Sequence, residues 1–562
     1  MIEKYRLKIE KDKLKMDNTI TITRKYTLIP TFSDTKEWTK KVMEYTKISY
    51  IEKIKYYEEK IKKTKKKDKE EREKYENRLS QLKEQQLDFE ENGTLLQTNV
   101  NDYTYDLVRE AMASESERKN AIIGYVLAEL FHKDAQNMEF KERNKLIGEL
   151  TNYGYRVKGS KKGSLFDHLD IDNPLNGYGK AFSQELTSKI KDLVKNGYFY
   201  GKAKPMYYKS DSPFTIAKDA MGFAHDYDTF EELCEHIREK DCNLYFDFGG
   251  NGNPTIARFK INLGANRKNK DELISTILRV YSGEYQYCGS SIGIEGTKII
   301  LNLSMKIQKQ EKEFDENTVV GVDLGIAVPA VCALNNNVYA RKFIGNKDDF
   351  FKVRKQLKAQ YKRIQRALKR ASGGHGRKKK LKALERLRKK EAHFVETYCH
   401  MVSKAVVDFA LKYNAKYINL ENLTGYDTDD IVLHNWSYYK LQQYITYKAS
   451  KYGIEVRKIN PCYTSQICSE CGNYHPENRP KGDKGQAYFN CHNEECVTHS
   501  KESSYKYGIN ADFNAARNIA KSTLWMEKGK VTEESKKKAR KYYGIEEEYE
   551  ELNREKENKE VA

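Results

Sequence analysis

The stretch Asn317-Thr-Val-Val-Gly-Val-Asp-Leu-Gly325 decides the fold of this 562-residue chain. It reads as a buried apolar strand interrupted by one carboxylate, Asp323, which is costly there unless something binds it. Two strand-like runs follow, Val328–Leu334 and Val338–Ile344, and then a strongly basic segment. Further on, Lys416-Tyr-Ile-Asn-Leu-Glu-Asn-Leu423 repeats the pattern as a second buried strand ending in one carboxylate, Glu421. A helix over about Trp436–Tyr452 and a strand over Ile454–Ile459 come next. A last helix opens at Ala511-Asp-Phe-Asn-Ala-Ala-Arg-Asn-Ile-Ala520, with Asp512 in its first turn. This alternation predicts an α/β domain. Paired parallel strands bring Asp323 and Glu421 to one sheet edge, and Asp512 closes a triangle. Three hard oxygen ligands suit one or two Mg2+ ions. Two such ions about 4 Å apart activate a water and stabilise the leaving 3′ oxygen of a phosphodiester. Any one of these carboxylates taken alone reads equally as a cap or a loop ion pair.

The composition points the same way. Lys+Arg number 102 against 82 Asp+Glu, a formal net charge of +20, and such an excess suits a polyanionic partner such as nucleic acid. Heavy Lys, Ile, Asn and Tyr use also fits an A+T-rich genome, so the position of the charge matters more. Between Lys352 and Lys390 stand 18 Lys+Arg and one acidic residue, Glu385, a local balance of +17. Two helices, about Asp349–Ala371 and Arg377–Tyr413, flank the break Ser372-Gly-Gly-His-Gly376. Apolar stripes (Leu357, Tyr361, Ile364 and Leu368, then Leu381, Leu384, Leu387 and Phe394) give each helix something to pack on. A basic hairpin with a buried stripe suits a phosphate backbone; a solvated helical surface is the plainer alternative. A second charged block, Lys53–Glu91, is nearly balanced and reads as an exposed helical hairpin held by opposite charges, a scaffold or dimerisation arm. The alternating charges from Val531 onward predict a mobile tail or a single exposed helix.

The longest apolar run, Ala121–Ala128, falls far short of the roughly 20 residues of a membrane span. The start, Met1-Ile-Glu-Lys-Tyr-Arg, lacks the apolar core of a secretory signal. The expectation is a cytoplasmic protein with no membrane partner. Six cysteines (Cys234, Cys242, Cys288, Cys332, Cys399, Cys462) are scattered, as reduced thiols are. The other four form a pattern: Cys468-Ser-Glu-Cys471, then 19 residues, then Cys491-His-Asn-Glu-Glu-Cys496. Two such knuckles offer four thiolates to one structural zinc ion, with His492 or His499 able to replace one. A redox disulfide pair would need a strand–helix context that is missing here. Toward the N-terminus, Thr19-Ile-Thr-Ile-Thr23 alternates as a strand through Lys25–Ile29, and a helical region spans roughly Thr35–Gly154. From Gly159 to about Lys306, helices (Phe182–Asn196, Thr229–Lys240) mix with strands (Asn243–Phe248, Thr255–Leu263, Thr297–Leu303).

These residues carry a family resemblance. Gly321-Val-Asp-Leu-Gly-Ile326 resembles the first RuvC motif, Asn419-Leu-Glu-Asn-Leu423 the second and Asn510-Ala-Asp-Phe-Asn-Ala-Ala-Arg-Asn518 the third. The element entered by Tyr463-Thr-Ser-Gln-Ile-Cys468 is similar to the target-nucleic-acid-binding insert of transposon-encoded TnpB nucleases and of compact type V-F CRISPR effectors. The length of the N-terminal half favours the CRISPR side. The motifs cover about 317–521; over 1–316 the likeness rests on element order. The resemblance implies a multidomain α/β plus α+β chain whose C-terminal nuclease domain is RNase H-like. It places an N-terminal strand of a β-barrel-like wedge at 1–34, a helical recognition lobe at 35–158 and a β-rich wedge and recognition region at 159–316. The RuvC domain follows at 317–462 with its basic hairpin at 349–413, then the zinc-binding insert at 463–508, the third-motif helix at 509–530 and a charged tail at 531–562. It further implies an RNA-guided DNA endonuclease of antiviral defence that pairs guide RNA with target DNA after reading a short flanking motif. Such an enzyme engages double- and single-stranded DNA and hydrolyses it with Mg2+ held by Asp323, Glu421 and Asp512. Family members carry a cleavage-assisting arginine between the zinc knuckles, which maps to Arg479. Compact members often act as asymmetric dimers on one guide, which admits a homodimer here. The CxxC pair that some relatives carry near the N-terminus is missing. A TnpB-type nuclease using a transposon-end RNA, and a guide-dependent DNA-binding protein that does not cut, are the alternatives. A sugar-kinase or actin-like ATPase, which also opens on Asp-x-Gly, fits neither the zinc knuckles nor the basic hairpin.

Overall fold

In the computed structural model, which describes residues 19–64, 69–156, 161–167, 181–239, 243–249, 255–264, 270–308, 312–325, 328–370, 373–423, 438–479, 488–499, 509–526 and 531–561, two compact units form, Met1–Gln308 and Lys309–Ala562. The first 18 residues of the expected wedge strand and parts of the expected zinc-binding insert (480–487, 500–508) lie outside the described residues.

In the first unit the Thr-Ile-Thr-Ile-Thr alternation becomes β1 (Thr19–Thr31). Helices α1 (Lys36–Lys63), α2 (Lys69–Asn92), α3 (Gln97–His132), α4 (Phe140–Tyr155) and α5 (Ala181–Lys195) follow. Then come β2 (Phe214–Ile216), β3 (Met221–His225), α6 (Phe230–Glu239), β4 (Leu244–Phe248), β5 (Ala257–Asn262), α7 (Lys270–Tyr281), β6 (Gln286–Tyr287), β7 (Ser290–Glu295) and β8 (Lys298–Gln308). Every strand pairing is antiparallel. The path runs β2-β7-β8-β1-β5-β4-β3, with β6 on β8, and among the described residues nothing pairs its two end strands. Tyr26, Phe246, Phe259 and Leu301 fill the core under the sheet. Helix α3 spans three apolar clusters: Val100 and Tyr103 pack with Trp38 and Val42 of α1, Val108, Ala111 and Met112 pack in the sheet core, and Ile122, Val126 and Leu130 pack with α4 and α5. The expected charged hairpin is α1–α2, whose seam holds Tyr50, Leu82 and Phe89 beside ion pairs such as Lys83–Glu58 at 3.1 Å.

The second unit is built on β9 (Asp315–Asp323), β10 (Ala330–Leu334), β11 (Arg341–Ile344), α8 (Lys347–Lys369), α9 (Gly374–Lys412), β12 (Ala415–Glu421), α10 (Tyr438–Lys451) and β13 (Glu455–Ile459). The two-residue strands β14 (Tyr488–Phe489) and β15 (Ile509–Asn510) pair with each other. Helices α11 (Ala511–Lys521), α12 (Glu533–Tyr543) and α13 (Glu546–Val561) end the chain. The main sheet has the order β11-β10-β9-β12-β13. β9 is parallel to β12 and β12 to β13, while β10 is antiparallel to both of its neighbours.

Strand side chains alternate between faces. Val320, Val322, Ile418 and Leu420 pack on Val402, Val406 and Leu441 of α9 and α10. Gly321 and Asn419 therefore face the other way, onto α11, and Asp323 and Glu421 share their parity. Gly321 is required by contact: a Cβ there would lie 2.0 Å from the Ala516 carbonyl oxygen and 2.3 Å from the Ala520 nitrogen. Asn419 Nδ2 donates to the carbonyls of Ile519 (2.9 Å) and Ser522 (3.1 Å) at the far end of α11.

Three expectations change. The hairpin's second helix begins within the glycine cluster, at Gly374, rather than at Arg377. Leu381, expected in the apolar stripe, is exposed, whereas Leu357, Leu368 and Leu384 are buried. The C-terminal segment is neither a mobile tail nor one exposed helix: it is two helices that bury Ala539 and Ile545. A Thr532 capping box starts the first, and left-handed Gly544 ends it. Its sparse apolar residues hid this packing behind the charge pattern.

Candidate active site and zinc-binding element

The parallel register sets Leu420 beside Val322, so Glu421 stands next to Asp323 at the ends of neighbouring strands, one strand spacing apart. Asp512 enters from the start of α11, where the Asn510 side chain caps the helix by accepting from Phe513 N at 3.0 Å. Its carboxylate comes within 3.9 Å of the space over Gly325. All three carboxylates are half-buried. Arg479 faces them, with Nη2 3.6 Å from Asp512 Oδ1. The sequence-predicted triad and Arg479 therefore meet in one place.

The electrostatics are those of a site short of positive charge. Burial, then the charges of Glu421 and Asp512, push Asp323 well above the usual carboxylate range, and Arg479 offsets only part of this. Burial raises Glu421 to about 6, against the opposing effects of a Thr464 hydrogen bond and Arg479. Burial also raises Asp512, again against Arg479. Carboxylates held this way bind a proton or a cation, so the donor set fits a hard divalent metal.

The cysteines assemble as the spacing predicts. Cys468, Cys471, Cys491 and Cys496 place their sulfurs within 4.8 Å of one another. Two of the separations are 3.7 Å (Cys468–Cys496) and 3.5 Å (Cys471–Cys491). These are far longer than a disulfide and close to the ~3.8 Å edge of a tetrahedron with metal–sulfur bonds of about 2.3 Å. Knuckle bonds shape the first pair, with Gly472 N donating to Cys468 O at 3.0 Å. Burial pushes the Cys491 thiol up, while Thr498 and neighbouring thiols outweigh burial at Cys496 and bring it down to about 7. Neither histidine substitutes for a thiolate. The His499 ring bonds the Cys491 carbonyl at 2.7 Å, and His492 stacks on His475 with ring centres 3.9 Å apart.

The element is tied directly to the carboxylates. Asn514 Oδ1 accepts from Ser469 N and its Nδ2 donates to Ile467 O, both at 2.8 Å. Asn518 Nδ2 donates to Thr464 O (2.8 Å) and Ile467 O (2.7 Å), and Lys521 Nζ donates to Ser469 O. The Thr464 hydroxyl donates to Glu421 Oε1 at 2.6 Å. Sequence reasoning missed Thr464, Asn419, Asn514 and Asn518. For the asparagines a signal was available: an amide inside an apolar strand, and two more at i, i+4 on one helix face.

Parts of the chain are similar to known proteins. The model of the Cas12f1-like TNB domain matches residues 438–519, and that of a probable transposase matches residues 302–427. A CRISPR-associated endodeoxyribonuclease Cas12f1 from Sulfoacidibacillus thermotolerans is 41% identical over 248 residues, 43% of this chain and 55% of that protein. The chain resembles the compact type V-F, TnpB-like effectors. A Cas12f1 from Syntrophomonas palmitatica is 36% identical over 237 residues, covering 37% of this chain and 46% of the relative. A TnpB-like protein of Methanocaldococcus jannaschii is 38% identical over 104 residues, 16% of this chain and 36% of its own length. The matches thus span about half the length of the curated Cas12f1 relatives. A solved Cas12f1-sgRNA-target DNA complex shares the fold, with a TM-score of 0.55 at 19% identity over 90% of this chain and 100% of that one. Among the described residues no helix is long and apolar enough to cross a membrane.

Proposed function

We propose that this chain is an RNA-guided DNA endonuclease of the compact type V-F kind, with Asp323, Glu421 and Asp512 holding Mg2+. The convergence of three carboxylates on one cation, Arg479, carries the reading. When bound, the divalent metal supplies charge neutralisation at the scissile phosphate and an activated water. The chain's own residues do the rest. The strand ends fix two ligands and α11 the third, Arg479 offers a positive charge to a phosphate oxygen, and Asn514 and Asn518 hold the cysteine element against α11. That element takes one structural zinc. The first unit serves as wedge and recognition lobe, and guide RNA and target DNA are the partners.

Two expected outcomes test this. The chain is purified from its native locus, its RNA sequenced, and DNA matching that RNA offered with Mg2+. Asp323→Ala, Glu421→Ala and Asp512→Ala each abolish cleavage while guide and target binding persist; any one of them cutting near the wild-type rate removes the triad assignment. Elemental analysis finds about one zinc per chain, lost in Cys491→Ser; no zinc in the wild type removes that assignment. The transposase match favours a second reading, a TnpB-type nuclease of the same chemistry guided by transposon-end RNA. The sequenced RNA separates the two.

A further inference from the structure

Thr464 is buried in the turn that leads from β13 into the cysteine element. Its hydroxyl has one proton and two acceptors in reach, Glu421 Oε1 at 2.6 Å and Pro461 O at 3.0 Å. The shorter contact is the charge-assisted one, and such bonds are the stronger. The turn itself is held in an unfavourable shape. Tyr463 adopts a left-handed backbone (φ +67°), which a side chain other than glycine's adopts only where its surroundings impose it.

Those surroundings are the C-terminal helices. Arg540 Nη1 of α12 donates to the Tyr463 hydroxyl at 3.1 Å, and its guanidinium lies 4.5 Å over the Tyr549 ring of α13. The Tyr463 ring sits edge-on against Tyr474 (5.5 Å) and Tyr549 (6.1 Å). Ile545, between the two helices, is buried with Ile467 and Tyr474. At the start of the same turn Asn460 Nδ2 donates to Ser535 O of α12 at 2.9 Å. From below, Asn518 fixes the Thr464 carbonyl.

We infer that Thr464 is a positioning residue that orients the Glu421 carboxylate for metal, and that the C-terminal helix pair clamps it there through Arg540 and Tyr463. The inference rests on the reading of Glu421 as a metal ligand. It gives the charged C-terminal segment a task at the metal site.

The test uses the full-length, zinc-loaded chain with Mn2+ as the probe, followed by electron paramagnetic resonance. Thr464→Val, which keeps shape and removes the donor, raises the Mn2+ dissociation constant on the order of tenfold. Thr464→Ser restores it. Arg540→Ala moves it the same way by a smaller factor, and zinc content stays at the wild-type level in all three. In cleavage, Thr464→Val raises the Mg2+ concentration for half-maximal rate more than it lowers the rate at saturating Mg2+. Wild-type Mn2+ affinity in Thr464→Val, or a serine variant as weak as the valine one, overturns the proposal. If Thr464→Val loses zinc or unfolds, Arg540→Ala decides alone, and an unchanged Mn2+ affinity there overturns the clamp. Mn2+ binding that Glu421→Gln leaves intact refutes the metal site and this role together. A wild-type chain that binds Mn2+ through Glu421 but cuts no guide-matched DNA refutes the nuclease reading alone.

Discussion

Burial raises Glu421 to about 6 from 4.5, against the Thr464 hydrogen bond and the Arg479 charge, which both lower it. Between those values the folded chain binds more protons at this group than the unfolded chain does. Metal-free stability therefore falls as pH rises from about 4.5 to 6, by at most about 2 kcal/mol from this group. Glu421→Gln removes that loss while leaving Thr464 an acceptor. Without Mg2+ the variant is expected to melt above the wild type at pH 7, with the gap closing towards pH 4.5; added Mg2+ raises only the wild type. Comparing the two chains at each pH cancels the groups remote from the site, the cysteine thiols included. Asp323, raised by burial and then by the Glu421 charge, is relieved of that charge in the variant and widens the gap at pH 7. A gap that does not change with pH contradicts the raised carboxyl. At this scale the sequence was eloquent about carboxylates and silent about hydroxyls. A lone acid in an apolar strand demands an explanation, as Asp323 and Glu421 did. A threonine in a turn demands none, and only its 2.6 Å contact with Glu421 gives it a role.

Asp512 reaches the two strand carboxylates only because α11 lies directly on β9, and Gly321 is where they touch. In Gly321→Ala the new methyl meets backbone on α11, which no rotamer change relieves, so helix and strand must separate. A loss of about 3 kcal/mol is expected, read from denaturant unfolding. Cleavage falls further than stability alone explains, because Asp512 moves with the helix. A variant as stable as the wild type shows that α11 does not depend on this contact. The elements themselves were legible: β9, β12, α10 and α11 lie within a few residues of their expected positions because each has an apolar face of the right period. The packing of α12 and α13 was not legible. Their buried side is chiefly Ala539, Ile545 and tyrosines set among charges, too thin a stripe to show against the alternating signs. The Gly373-Gly374 break was legible as a break, yet its helix starts inside it, since exposed glycine tolerates the first turn.

Across the whole molecule the net charge of +20 is concentrated rather than spread, because the Lys352–Lys390 stretch alone carries +17. Some of its cations have partners within the hairpin. Arg354 pairs with Glu391 at 2.7 Å, and Arg388 donates to the Tyr361 hydroxyl at 2.6 Å. Lys362, Arg363 and Arg366 of α8 and Arg370, which caps it, are exposed and line a shared depression with Ala359 and Ala367. The α1–α2 hairpin is as densely charged but neutralises itself, with Lys63 on Glu59 at 3.0 Å and Arg72 on Glu76 at 2.8 Å. The two hairpins should therefore differ in salt response, since only cations that meet phosphates release counterions. Binding of a fluorescent non-specific DNA duplex is measured from 50 to 300 mM KCl. Replacing Arg363, Arg366 and Arg370 together by alanine is expected to flatten the slope of log affinity against log salt by about two to three. Folding is expected to survive, because the buried stripe of Leu357, Leu368 and Leu384 is untouched. Replacing Lys62, Lys63 and Arg72 in α1 and α2 should leave the slope unchanged. Equal slopes in both triple variants would show that the duplex does not follow α8.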